Sequence, residues 1–286
     1  MIQLKQSGLT TEEFITHALS EDIGDGDHTS QATIEENAIG RAQIKIKEKG
    51  ILSGLEIAQK IFYAVDKNLE ITVLSEEGKE VNSEDIVMLI KGNIRSLLKS
   101  ERLVLNCMQR MSGIASLTRQ YVKAVAGTKV KILDTRKTTP NFRYFEKQAV
   151  LTGGGMNHRF GLFDMILIKD NHVDASGGIR NALRSANEYQ EVKRLKLPIE
   201  IETRNLKEVE EVLTSGLANR IMLDNFTPEL LIQAVEMIKN RFETEASGGI
   251  TLSNILAYAQ TGVQYISVGA LTHSHNSLDI SMKLIS

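Results

Sequence analysis

The 286-residue sequence contains no tryptophan, three prolines and one cysteine. A single cysteine, Cys107, excludes an intrachain disulfide and any zinc-ligand spacing built on paired cysteines. It lies in an apolar, helix-like stretch, Leu103-Val104-Leu105-Asn106-Cys107-Met108, where a buried packing role is expected. Pro140, Pro198 and Pro228 are too few for a Pro-rich linker or recognition tract. No apolar run approaches the ~20 residues that span a bilayer. The opening Met1–Gly8 lacks the apolar region of a secretory signal. A soluble, cytoplasmic protein without a membrane partner is therefore expected. Charge of one sign is lacking too: 34 Lys and Arg against 36 Asp and Glu leave −2. That balance argues against a nucleic-acid partner held by bulk charge. No Walker A segment and no G-x-G-x-x-G after a strand occurs, so the standard phosphate-loop and Rossmann readings fail.

What is present is the making of a large core, with 42% hydrophobic and 24% charged residues. The first 110 or so residues mix helix and strand signals. Thr10-Thr11-Glu12-Glu13 reads as a capping box opening a helix. Arg41–Lys47 alternates apolar and polar as a half-buried strand does. Residues 54–65 read as a helix with Leu55, Ala58, Ile61 and Phe62 on one face, and 69–74 and 85–90 as further strands. A long helical stretch from about Ser96 to Ala126, broken or bent near Ser112-Gly113, leads onward. Beyond it, six short apolar runs alternate with helical segments: 130–133, 165–168, 199–201, 221–223, 242–245 and 265–268. Such alternation predicts parallel strands with right-handed crossovers, in either a closed barrel or an open sheet.

The residues ending these strands favour a barrel with one composite site, because barrel sites form at the carboxyl ends of the strands. They are Asp134-Thr135-Arg136-Lys137, Lys169-Asp170-Asn171-His172, Glu202-Thr203, Asp224-Asn225, Ser247-Gly248-Gly249 and Val268-Gly269-Ala270. Arg136, Lys137, His158, Arg159 and Lys169 form a basic set that suits a strongly anionic ligand. Glu202 and Asp224 beside a polyanion point to Mg²⁺ held partly by substrate phosphates. Taken singly, each of these charges reads equally well as a solvated loop residue. The glycine loops at 247–249 and 269–270 allow backbone to approach a phosphate, although each alone also reads as an ordinary strand-to-helix turn. Lys169 reads either as an anion contact or as a Schiff-base lysine. His172, His273 and His275 lack the spacing of a metal triad.

Together these segments resemble quinolinate phosphoribosyltransferases. The resemblance rests on Asp134–Pro140, Gly153–Arg159, Ile168–His172, Glu200–Glu202, Leu223–Phe226, Ser247–Gly249 and Val268–Ser274, with Ser100-Glu101-Arg102, Asn106 and Met111–Ala115 earlier. It runs from about Glu21 to the C-terminus. It implies an α/β protein: an N-terminal α+β sandwich-like domain over 1–110, then an incomplete, about seven-stranded α/β barrel over 111–271, with a tail, 272–286, returning to the first domain. It also implies condensation of quinolinate with phosphoribosyl pyrophosphate (PRPP), giving nicotinate mononucleotide, pyrophosphate and CO₂ for NAD biosynthesis. Arg136, His158, Arg159 and Lys169 would line the quinolinate pocket, completed by Arg102 of the neighbouring subunit in a homodimer. Thr135 belongs to the same binding segment, and Lys137 would meet PRPP phosphate. Glu202 and Asp224 would hold Mg²⁺ or ribose hydroxyls, and Ser247, Gly248, Gly249, Val268, Gly269 and Ala270 the 5′-phosphate. Lys137, Lys169, Glu202 and Asp224 are the expected catalytic residues. The competing readings are a paralogue acting on another ring acid, a molybdenum-associated relative, and a Schiff-base lyase using Lys169.

Overall fold

A computed structural model describes residues 9–285; the signal-region reading of Met1–Gly8 therefore lies outside the described residues. In chain order the elements are α1 (Thr11–Ile23), α2 (His28–Thr33), β1 (Ile39–Ile46), β2 (Gly50–Ile51), α3 (Leu55–Val65), β3 (Glu70–Val73), β4 (Glu80–Val81), β5 (Ile86–Asn93) and α4 (Ile94–Ala124). They continue as β6 (Lys131–Leu133), α5 (Arg143–Thr152), β7 (Ile166–Ile168), α6 (Asp170–Ala175), α7 (Ile179–Lys193), β8 (Ile199–Thr203) and α8 (Leu206–Ser215). The last are β9 (Arg220–Asp224), α9 (Pro228–Ile238), β10 (Glu243–Ser247), α10 (Ile255–Ala259), β11 (Tyr265–Ser267), α11 (Ala270–His273) and β12 (Ile280–Ile285). The described residues form two compact units, one of 9–119, 138–154 and 272–285, the other of 120–137 and 155–271. Among the described residues no helix is long and apolar enough to cross a membrane.

The first unit is built on a four-stranded antiparallel sheet in the order β12-β1-β5-β3. Alternation in β1 buries Ala42, Ile44 and Ile46 on one face. The expected apolar face of α3, Leu55, Ala58, Ile61 and Phe62, is buried. Thr10 caps α1 in a reciprocal box with Glu13. Residues 138–154, which the sequence groups with the barrel, pack in this unit, where Phe142 and Phe145 close an aromatic cluster with Phe14 at centroid distances of 4.9–5.5 Å. Cys107 is buried, and burial pushes its thiol up to about 12, as an inert packing residue requires.

The helix expected to be broken or bent near Ser112-Gly113 is continuous there. α4 runs unbroken for 31 residues. Gly113 serves packing instead: a Cβ there would lie 2.1 Å from the Asn276 carbonyl oxygen, so only glycine lets the C-terminal strand's approach cross the helix.

The second unit is a parallel sheet in the order β6-β11-β10-β9-β8-β7, with every expected strand in place. Six strands pair rather than seven, and among the described residues no pairing joins β7 back to β6. The stretch that would supply the seventh contributes one bridge, Leu133 to Met156. The reason lies in its backbone donors. The His158 N–H goes to the Asp134 carboxylate (2.8 Å), and the Arg159 N–H to His158 Nδ1 (2.7 Å). The Phe160 and Gly161 N–H groups go to the Asp164 carboxylate (2.6 and 2.8 Å). Side chains have taken the bonds a strand ladder would use.

Replacing Gly113 by alanine should destabilise the protein by about 1–3 kcal/mol through overpacking. A denaturant melt at unchanged slope checks this; a midpoint equal to that of the parent protein would show that α4 and the 276–277 backbone do not need their close approach.

Candidate active site

The strand ends of the second unit gather the charged residues read from the sequence. Lys169, at the junction of β7 and α6, contacts the Glu202 carboxylate at the end of β8. The Asp170 N–H also reaches Glu202 (3.3 Å). His172, considered above as a metal ligand, accepts the Lys169 N–H at Nδ1 (2.9 Å) and so helps form the turn that presents Lys169. Asp224, at the end of β9, is half-buried and accepts from the Asn225 amide (2.6 Å). Burial, then the nearby Glu202 charge, raises its carboxyl above the usual range, against a hydrogen bond from Ser247 and the Lys169 ammonium. Glu202, Asp224, Lys169 and Ser247 thus share one neighbourhood. Glu202 and Asp224 are neighbouring carboxylates, a hard-oxygen pair whose repulsion a divalent cation relieves, and this donor set fits Mg²⁺.

The basic side is equally close-set. Arg159 is 9% exposed, and its guanidinium donates to the Met165 carbonyl (3.2 Å). Burial, then the neighbouring Arg136 charge, lowers its proton affinity below that of an ordinary guanidinium. Two adjacent guanidinium groups, one of them buried, favour an anionic ligand between or beside them. Thr135 Oγ1 accepts the Lys137 N–H (3.1 Å), turning the chain just after β6. Gly248 takes φ of +93°, and a Cβ on it would fall 2.1 Å from Asn225 Oδ1. The 247–249 loop is therefore held against the end of β9 with only glycine able to fit. α10 begins only at Ile255, so any phosphate at this loop would meet loop backbone and not a helix end. Gly269 leads directly into α11. Arg102 is exposed on α4, in the first unit.

Beneath the mouth lies a group that the sequence reading passed over. Glu200 and Glu245 are fully buried in β8 and β10. His158 Nε2 is 2.9 Å from Glu200 Oε2 and 3.5 Å from Glu245 Oε2. Arg220 Nη1 lies 3.1 Å from Glu245 Oε2 and 4.0 Å from Glu200 Oε2, while its guanidinium sits 4.1 Å from the centre of the Tyr265 ring and bonds Glu243. Burial raises both Glu200 and Glu245, the latter further because Glu200 is beside it. The signal was available: in Ile199-Glu200-Ile201-Glu202 two glutamates alternate inside an apolar strand, so both face the same side. The ligand-capable atoms of His158, Glu200 and Glu245 lie within 4.8 Å of one another. Arg220 already supplies positive charge there, unlike at Glu202 and Asp224. His158 accordingly turns its Nε2 to this cluster and its Nδ1 to its own backbone neighbour.

Comparison with known proteins agrees with this geometry. Residues 27–112 match the model described as quinolinate phosphoribosyl transferase, N-terminal domain, and residues 114–283 that of the C-terminal domain. A tobacco (Nicotiana tabacum) protein named quinolinate phosphoribosyltransferase [decarboxylating] 2b, mitochondrial, is 46% identical over 288 aligned positions, spanning 96% of this chain and 82% of that one. A Bacillus subtilis protein named probable nicotinate-nucleotide pyrophosphorylase [carboxylating] is 42% identical, spanning 96% of this chain and 93% of its own. The crystal structure of NadC from Streptococcus pyogenes superposes with a TM-score of 0.92 at 38% identity, covering 100% of this chain and 98% of that one. The nicotinate-nucleotide pyrophosphorylase of Francisella tularensis gives 0.90 at 37%, covering 98% of each. With the two domain models matching residues 27–112 and 114–283 and relatives 42% and 46% identical over 96% of this chain, the chain belongs to the quinolinate phosphoribosyltransferase family.

Proposed function

We propose that this enzyme is a nicotinate-nucleotide pyrophosphorylase (carboxylating), a pentosyltransferase. It transfers the phosphoribosyl group of PRPP to quinolinate and releases pyrophosphate and CO₂. The observation that carries the reading is the buried Arg159 guanidinium beside Arg136, facing a neighbourhood that also holds Lys169, Glu202 and Asp224. A ligand with two carboxylates answers the first pair, and a phosphorylated ribose the second group. The ring nitrogen of quinolinate attacks C1′ as the bond from C1′ to the pyrophosphate oxygen breaks. Glu202 and Asp224 offer negative charge where the ribosyl carbon becomes cationic, and Lys169 orients Glu202 while countering a quinolinate carboxylate. Lys137 meets a PRPP phosphate. The 247–249 and 268–270 loops offer backbone N–H groups to the 5′-phosphate. Mg²⁺ bound by Glu202 and Asp224 would neutralise the leaving pyrophosphate. After transfer the ring nitrogen is cationic, so the electron pair left by CO₂ is accommodated beside it until a proton replaces the lost carboxyl.

The same reading makes the site complete only in a homodimer, with Arg102 of one protomer reaching the mouth of its partner. Its exposure on α4 leaves it available for that contact. A Schiff-base role for Lys169 has less support, since its Nζ is engaged by Glu202.

Incubation with quinolinate, PRPP and Mg²⁺ should yield nicotinate mononucleotide; absence of product, or equal use of nicotinate, would overturn the assignment. Glu202→Gln and Asp224→Asn should each lower kcat by about 10²–10³-fold, the scale of a lost preorganised electrostatic contact; near-parental kcat would contradict their placement at the ribosyl carbon. Inactive Arg102→Ala and Lys169→Ala proteins, once mixed and exchanged into heterodimers, should recover activity, because one mouth then carries both lesions and the other none. No recovery in a verified mixed dimer would contradict the shared site.

A further inference from the structure

His158 sits in the middle of the basic set, yet neither ring nitrogen is directed outward. Nδ1 accepts the backbone N–H of Arg159 at 2.7 Å, so the ring proton is on Nε2. Nε2 in turn faces Glu200 Oε2 at 2.9 Å and Glu245 Oε2 at 3.5 Å. Arg220 Nη1 bonds Glu245 Oε2 at 3.1 Å, lies 4.0 Å from Glu200 Oε2, and its guanidinium sits over the Tyr265 ring. The His158 N–H is fixed to the buried Asp134 carboxylate. The backbone N–H and the ring Nδ1 of this residue therefore both act on the path of the chain, and the residue whose main chain the ring holds is Arg159.

We propose that Glu200, Glu245 and Arg220 are positioning residues for quinolinate: through His158, held with its proton on Nε2, they fix the Arg159 backbone and so aim its guanidinium. The proposal rests on the transferase reading above, and it gives His158 a role different from direct contact with the substrate. The pathway is short and physical. Glu200 orients the ring, the ring accepts the Arg159 N–H, and the guanidinium projects beside Arg136. An ångström of error in a binding guanidinium can cost orders of magnitude in rate. Buried acids in β8 and β10 are thereby connected to a residue in the irregular stretch between α5 and β7. A metal ion bridging His158, Glu200 and Glu245 is the competing use of the same atoms, but Arg220 already supplies their positive charge.

Three measurements test this. Imidazole-nitrogen NMR of the unliganded protein should show His158 as the neutral Nε2–H tautomer; an Nδ1–H tautomer, an imidazolium or a stoichiometric metal by elemental analysis would overturn the proposal. Glu200→Ala should raise KM for quinolinate about tenfold with KM for PRPP within about twofold, and Glu200→Gln, which keeps an oxygen opposite Nε2, should recover most of the loss. A merely structural role would lower the active fraction and leave both KM values alone, and that result would also overturn it. Finally, His158→Asn, whose side-chain oxygen can replace Nδ1 as acceptor, should retain quinolinate affinity better than His158→Phe, and adding Glu200→Ala to His158→Asn should cost little more. Equal loss in both His158 variants, or full additivity, contradicts action through His158. The NMR arm needs no substrate, so an inactive parent protein would defeat the transferase reading while leaving the positioning network decided on its own.

Discussion

Charge buried inside a β-core is the constraint on which the second unit depends. Glu200, Glu245 and Arg159 are removed from water together with the His158 imidazole, and Arg220, itself partly exposed, lies against the two glutamates. An isolated ion there would cost several kcal/mol, so each must have a partner whose geometry is fixed. That requirement explains why the chain after β6 abandons strand pairing. Its N–H groups are needed by Asp134, His158 and Asp164, and a seventh strand would compete for the same donors. The gap in the barrel and the shape of the basic site are two results of one hydrogen-bond accounting.

Above that layer the mouth separates charge by sign. The Arg136 charge stands near Arg159 and the Glu202 charge near Asp224, so like charges are set together at both places. Like charges held together by a rigid sheet are unfavourable until a ligand of opposite sign arrives, so each side favours a ligand of the charge it lacks. Lys169, seated between them through Glu202, links the halves. The near-zero net charge of −2 conceals this segregation completely.

Much of this was legible in the sequence, and the parts that were not share a cause. Periodicity located the six parallel strands, β1, α3 and the capped start of α1 because each depends on local pattern. The polar residues closing each strand pointed to one composite site because parallel strands must end on the same side. Gly113 reads in sequence as a break or bend, whereas the helix is continuous and the glycine serves a close approach to the backbone of Asn276, 163 residues later in the chain. The missing seventh strand depends on side chains capturing backbone donors, which no apolar pattern records. The residue type of His158 groups it with the substrate-binding cations and says nothing of its buried neighbours Glu200 and Glu245, which come from two distant strands. The alternation of Glu200 and Glu202 carried that information, but only the folded sheet shows what Glu200 meets.

The central claim is that the strand-end cations and acids of this chain carry out ribosyl transfer followed by loss of the carboxyl beside the ring nitrogen. It is tested most directly by supplying quinolinate isotopically labelled in that one carboxylate, with PRPP and Mg²⁺, and collecting gas and nucleotide together. The account predicts one labelled CO₂ for each nicotinate mononucleotide formed, with no label left in the nucleotide. Label retained in a nucleotide, or labelled CO₂ released without PRPP, would contradict it.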